Sequence, residues 1–207
     1  MHASTRKTKQ EVVSEFRCNE ILDAARKVFA KKGFADATMD EIAAACGLAK
    51  GTLYIYFKSK RDVYLRTLQH GATELLERVT ANMLGVTGVR AKLRANIATR
   101  LEHAEDNRDF IKIYLTEFVN VTHPAAWSTK DLRDVQLKLA QGVEQVLRDA
   151  VAHGEIQPLD VATIAFTIQD MIRSLTTRRV LGASKKDRAE DIDILCNFIW
   201  QGIGWVD

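Results

Sequence analysis

The chain has 207 residues, 46% apolar and 28% charged, with a formal net charge of +3. That balance is ordinary for a globular protein, and the length suffices to bury roughly 70% of the unfolded chain's surface. No run of 18 apolar residues is available to span a membrane, and Cys18, Cys46 and Cys196 are too few and scattered for a disulfide or metal framework, which fits reduced thiols in a cytoplasmic protein.

Pro124 and Pro158 are the two prolines, and no sustained period-2 run appears, so the expected fold is all-α. Residues 1–14 are polar and carry Arg6, Lys7 and Lys9; they lack the apolar core of a signal peptide and read as a flexible basic tail. A first helix is expected over 15–32, with Ile21, Leu22, Ala25, Val28 and Phe29 on one face and Gly33 closing it. Phe34 then turns inward. Thr38 and Glu41 have capping-box spacing, which starts a second helix near Met39. Ile42, Ala43 and Cys46 continue its apolar face, and Gly47 supplies the positive φ of a tight turn. A third helix follows over about 50–57. Leu53 and Phe57 lie four apart and face the core. Lys50, Thr52, Tyr54 and Tyr56 carry groups that bond phosphates or bases. Two short helices joined by a glycine-bearing turn read as a helix-turn-helix.

The string GLAKGTLYIYFKSKRDVY closely resembles the DNA-binding signature of the TetR family of bacterial transcriptional regulators, and the resemblance extends upstream through ILDAARKVFAKKGFADATMDEIA. It covers about residues 17–65. It implies family DNA contacts at Thr38, Ala49, Lys50, Gly51, Thr52, Tyr54, Ile55, Tyr56 and Lys60. Two of these depart from the usual pattern. Ala49 stands where Ser or Thr is common, so the third helix lacks a side-chain N-cap. Ile55 can touch a thymine methyl but makes no hydrogen bond to a base. Residues 1–65 hold 12 Lys/Arg against 8 Asp/Glu, a modestly basic head suited to a polyanion. The basic tail could reach the DNA backbone or a minor groove.

Ser59 and Asp62 repeat the cap spacing and start a long helix near Lys60, which continues to about Leu84 and links head to body. Further helices are expected over 89–105, 107–121, about 128–153, from Pro158–Asp160 to Gly182, and from a Ser184/Asp187 cap onward. The count is nine. The division is a tail over 1–14, a DNA-binding domain over 15–62 and a regulatory and dimerisation domain over 63–207. The last two helices carry apolar residues on two faces, with Ile194, Phe198, Trp200, Trp205 and Val206 on one helix and Phe166 and Met171 on the other, which fits the homodimer the resemblance implies. The resemblance also implies a small-molecule effector in the body, where Leu101, Phe110, Ile113, Tyr114, Phe118, Leu137, Phe166 and Gln169 could line an apolar pocket and Glu117, Gln169, Asp170 and Arg173 could orient the ligand. An apolar stripe of this kind is also what plain core looks like. No nucleophile–base spacing, phosphate-cradling glycine loop or metal motif is present; His103, His123 and His153 form no metal-spaced group, and neither an enzyme nor a cofactor is expected. The reading is a repressor that binds a pseudo-palindromic double-stranded operator as a dimer and is released by a largely apolar effector. A member controlled by a protein partner is the alternative.

Overall fold

The computed structural model describes residues 8–108, 111 and 130–203. Among them the fold is all-α, in two compact units, Met1–His70 and Gly71–Asp207. None of the described helices is long and apolar enough to cross a membrane.

The first unit holds α1 (Lys9–Asp36), α2 (Met39–Ala45), α3 (Lys50–Tyr56) and the start of α4 (Lys60–Leu84). Helix α1 starts near residue 9 and not near 15, because Thr8 and Glu11 form a complete capping box, each bonding the other's backbone amide. Gly33 breaks the helix with φ 75° and ψ 174°, and a short turn carries on to Asp36. Ile21, Leu22, Ala25 and Phe29 of α1 meet Ile42 and Ala43 of α2, Leu53 of α3, and Phe57, Val63 and Tyr64, all buried. Tyr64 sets its ring edge against Phe29 at 5.0 Å, a favourable aromatic geometry. Phe34 does not turn fully inward. It stays 38% exposed, with its ring 4.8 Å from that of Tyr64 and the Lys60 ammonium 4.7 Å from its centre.

The second unit holds the rest of α4 with α5 (Val89–Asp106), α6 (Lys130–Ala152), α7 (Val161–Val180) and α8 (Arg188–Ile203). The helix expected over 107–121 falls largely outside the described residues. Helix α5 is central and packs on α6, α7 and α8. Leu93, Ile97 and Leu101 meet Leu139, Val143 and Leu147 of α6, Ala165, Ile168 and Ile172 of α7, and Ile192, Leu195 and Ile199 of α8 in the core. Asp160 caps α7 by accepting from the Thr163 amide, and the Thr163 hydroxyl, which donates to it at 2.7 Å, leads the causes that hold its carboxyl below the usual range. Asp187 alone caps α8, accepting from the Glu190 amide at 2.6 Å. Ser184, expected to share that cap, instead donates to Asp191 at 2.8 Å.

Arg179 ties three helices together. Its Nη1 donates to Asp191 of α8 at 2.5 Å and to the Lys186 carbonyl at 3.2 Å, and its Nε donates to Glu105 of α5 at 2.9 Å. The Arg179 and Asp191 side chains are 13% and 7% exposed, so they are shielded from water and from salt. Removing the guanidinium takes the cation from buried Asp191, which keeps the Ser184 hydroxyl, and one of two cations from Glu105, which keeps Arg188 at 3.0 Å; breaking a buried pair of this kind costs several kcal/mol. Arg179→Ala should lower unfolding stability by about 2–4 kcal/mol, read as a fall in the urea midpoint with the slope unchanged, whereas removing exposed Arg148 should shift stability by less than about 1 kcal/mol.

Candidate nucleic-acid interface

The Thr38–Glu41 capping box predicted for α2 is formed in both directions, with the Glu41 amide donating to Thr38 Oγ1 at 3.2 Å and the Thr38 amide donating to Glu41 at 3.1 Å. Glu41 also accepts from Lys32, and that hydrogen bond leads the causes holding its carboxyl below the usual range. A lowered carboxyl pKa contributes stability above the unfolded value and loses it as pH falls through the folded one. Gly47 follows α2 at φ 67°, a conformation that supports the turn and that side chains rarely adopt. Ala49 enters α3 with extended backbone and no side-chain cap.

Helix α3 is seven residues long. Leu53 and Phe57 are 0% and 1% exposed, and Arg66 closes the far end by donating to the Tyr56 carbonyl with its guanidinium over the Phe57 ring. With 100° per residue, Gly51 and Ile55 fall opposite that buried pair. Ile55 is 77% exposed and Tyr54 48%; Lys50 and Gly51 are also exposed, and Thr52 and Tyr56 are half-buried. A large apolar residue on the outermost line of a short helix is unexplained by the chain's own packing. Gly51 has helical backbone, and a Cβ added there meets nothing within 4 Å. Neither conformation nor packing within the chain requires glycine at this point.

The N-termini of α2 and α3 adjoin. The Lys50 ammonium donates to Asp40 at 2.7 Å, and that bond raises its pKa. Lys60, half-buried at the start of α4, donates to the Ala35 carbonyl at 2.9 Å, in the segment leading to the exposed Thr38. Thr38, Lys50 and Lys60 are thus gathered around residues 35–40, while Gly51, Tyr54 and Ile55 form the outer side of α3.

The second unit separates the residues named for an effector. Leu101 is buried at 0%, and Gln169 at 7%. Leu137 and Phe166 point outward at 44% and 49% exposure, and Arg173 pairs with Asp170 at the surface, at 2.8 Å. Phe110, Ile113, Tyr114, Glu117 and Phe118 lie outside the described residues. Pattern reading missed a buried polar row on α5, consisting of Asn96, Thr99, Arg100 and His103. Arg100 donates to Gln169, whose amide group donates on to the Leu139 carbonyl at 3.0 Å. The Asn82 amide donates to Thr99 at 2.8 Å. The spacing 96, 99, 100, 103 was the available signal, but it reads equally as a solvated helix face.

Two family models match the chain. Bacterial regulatory proteins of the tetR family match over residues 21–67, and the C-terminal domain described as tetracyclin repressor-like matches over 87–177. The chain belongs to the TetR family of bacterial transcriptional regulators. The first match spans the interface just described, and the second spans α5 and most of α7. An uncharacterized HTH-type transcriptional regulator of Bacillus subtilis, YerO, is 27% identical over 83% of this chain and 59% of its own length. The HTH-type transcriptional activator FasR of Mycolicibacterium smegmatis is 33% identical over 53% of this chain and 51% of its own length. This TetR-family chain therefore spans little more than half of these two relatives. Among solved structures, the transcriptional regulator FadR of Bacillus subtilis in complex with stearoyl-CoA has the same fold, with a TM-score of 0.79, 21% identity, and coverage of 90% of this chain and 99% of that one.

Because Gly51 is slack within this family member's own packing, Gly51→Ala should stabilise the isolated fold by about 0.5–1 kcal/mol, and Ala49→Ser should add about 1 kcal/mol through a new N-cap. Denaturation midpoints of the two variants against wild type test both.

Proposed function

We propose that this TetR-family regulator is a repressor that binds a pseudo-palindromic DNA operator as a homodimer and is released by a small, largely apolar effector. The observation that carries the DNA reading is the division of α3, with Leu53 and Phe57 sealed inside and Tyr54 and Ile55 held outside. A helix anchored on one side in this way presents a fixed edge to the major groove. Tyr54 and Tyr56 bring hydroxyls for phosphate and rings for thymine methyl or sugar, Ile55 brings an apolar contact, and Gly51 lets backbone and DNA come close. Thr38, Lys50, Thr52 and Lys60 supply phosphate-bonding groups. Ala49, at the entry to α3, would bring its methyl and backbone.

The homodimer reading is supported by α7 and α8. Phe166, Ile194 and Phe198 are 49%, 49% and 63% exposed in the single chain, on helices whose other sides fill the core. Ile194 and Phe198 are four apart and share a face. A two-fold interface burying this patch would present two α3 helices to half-sites roughly 34–36 Å apart or a multiple of that.

The effector reading rests on the body. Arg100 and Gln169 form a polar anchor within an interior of Leu101, Leu139 and Ile168. That arrangement suits an apolar body with a polar or anionic group, and stearoyl-CoA in the Bacillus subtilis FadR structure is a ligand of that type. Effector would shift the dimer between states that match and mismatch the operator, by its differential affinity for the two.

Selection of bound genomic fragments followed by footprinting tests the whole reading. Protected sites should share a pseudo-palindrome, and reporter expression from them should rise when the gene for this chain is deleted. Fragments with no common symmetry would overturn the operator, and a fall in reporter expression would make the protein an activator, as FasR is named. Tyr54→Ala should cost operator affinity about five- to tenfold and leave random-sequence affinity nearly unchanged, while Lys60→Ala should weaken both alike. Phe198→Asp should give a monomer in sedimentation and lose operator protection at concentrations where wild type protects fully. A saturating panel of fatty acyl compounds that leaves operator affinity unchanged would point to control by a protein partner.

A further inference from the structure

Two acidic residues stand on the first turn of α2, and the structure gives them different tasks. Glu41 closes the capping box with Thr38 and takes Lys32. Asp40 has no part in the cap. Its carboxylate is 64% exposed and accepts from the Lys50 ammonium at 2.7 Å, across the gap between the N-termini of α2 and α3. As a contribution to folding this contact is small, because an exposed pair contributes about 0–1 kcal/mol. As a feature of a DNA-binding edge it is considerable. A carboxylate there faces a polyanion, and it restricts the one lysine at the start of the helix that meets the bases.

We propose that Asp40 is a positioning and specificity-determining residue for DNA, acting through Lys50 by holding its ammonium at one place on the head and by opposing duplexes that present no acceptor there. The inference rests on the DNA-binding reading of the head. A free lysine on a flexible four-carbon stem reaches whichever phosphate is near, so it raises affinity for every sequence. A lysine tethered to Asp40 keeps two of its three donors for DNA but has lost most of its reach. It contributes where a phosphate or a guanine edge lies at the tethered position, and elsewhere the negative charge of Asp40 is left against the backbone. The pair therefore lowers random-sequence binding more than operator binding.

The test compares the full-length protein on the duplex recovered by fragment selection and on a mixed-sequence duplex, each over a range of salt. Asp40→Asn removes the charge and keeps the size. It should raise mixed-sequence affinity about five- to tenfold at low salt and steepen the salt dependence by about one counterion. Operator affinity should change by about twofold or less, so discrimination narrows. Asp40→Glu, which keeps the charge, should stay close to wild type in discrimination. Lys50→Met should cost more on mixed-sequence DNA in the Asp40→Asn background than in wild type, since only there is the lysine released. Thermal midpoints of all variants separate these effects from loss of fold. Unchanged discrimination and salt slope in Asp40→Asn, or an equal loss on both duplexes, would overturn the proposal while leaving operator recognition intact. A wild-type protein without preference between the duplexes would overturn the reading beneath it as well.

Discussion

The first unit turns on the anchoring of one short helix by two side chains. Seven residues are too few for a helix to persist in water, because the nucleating turn costs more than so few bonds return. Helix α3 also starts from Ala49 without a side-chain cap and contains Gly51, each a local cost of about 1 kcal/mol against the better residue. It is held by Leu53 and Phe57, which disappear into a core made by α1, α2 and the start of α4. Burial of two such side chains is worth roughly 3–6 kcal/mol, enough to outweigh both costs. The same geometry turns Tyr54 and Ile55 outward, so the exposure of that side follows from the burial of the other.

Much of this was legible because the signals are local. The T-x-x-E spacing at Thr38 and Glu41 calls for a reciprocal cap within one turn, and Gly47 is needed for its positive φ whatever surrounds it. Leu53 and Phe57 could be placed by spacing alone. The true start of α1 was missed although Thr8 and Glu11 use the same grammar. The reason is that Val12, Val13 and Phe16 are exposed by 51%, 54% and 63%, so they give no buried stripe to extend the helix leftward. A reading that follows apolar periodicity stops where burial stops, and the backbone continues past that point.

The second unit shows the limits of pattern more plainly. The stripe of Ile192, Leu195, Cys196, Ile199 and Ile203 is buried as its spacing requires. Leu137 and Phe166 are equally apolar, yet they face outward in the single chain. Arg100 and His103 are polar, yet their residues are 9% and 1% exposed. Periodicity states which residues share a face and is silent on what that face meets. The orientation of Ser184 is a similar case. Its spacing suits a cap, yet its hydroxyl donates to Asp191, which Arg179 also holds, and the Glu190 amide goes to Asp187.

The buried polar row of α5 follows the same rule, that a committed neighbour decides where a polar group points. A guanidinium stays charged inside a protein, and holding it there is costly unless it is well bonded. Gln169 meets part of that need, and because its amide group is committed to the Leu139 carbonyl, its oxygen is directed at Arg100. The amide can turn over only by setting its own NH2 group against the guanidinium, donor against donor. Arg100 is therefore a positive point held in one place, and through Gln169 the buried row of α5 is fastened to both α7 and α6.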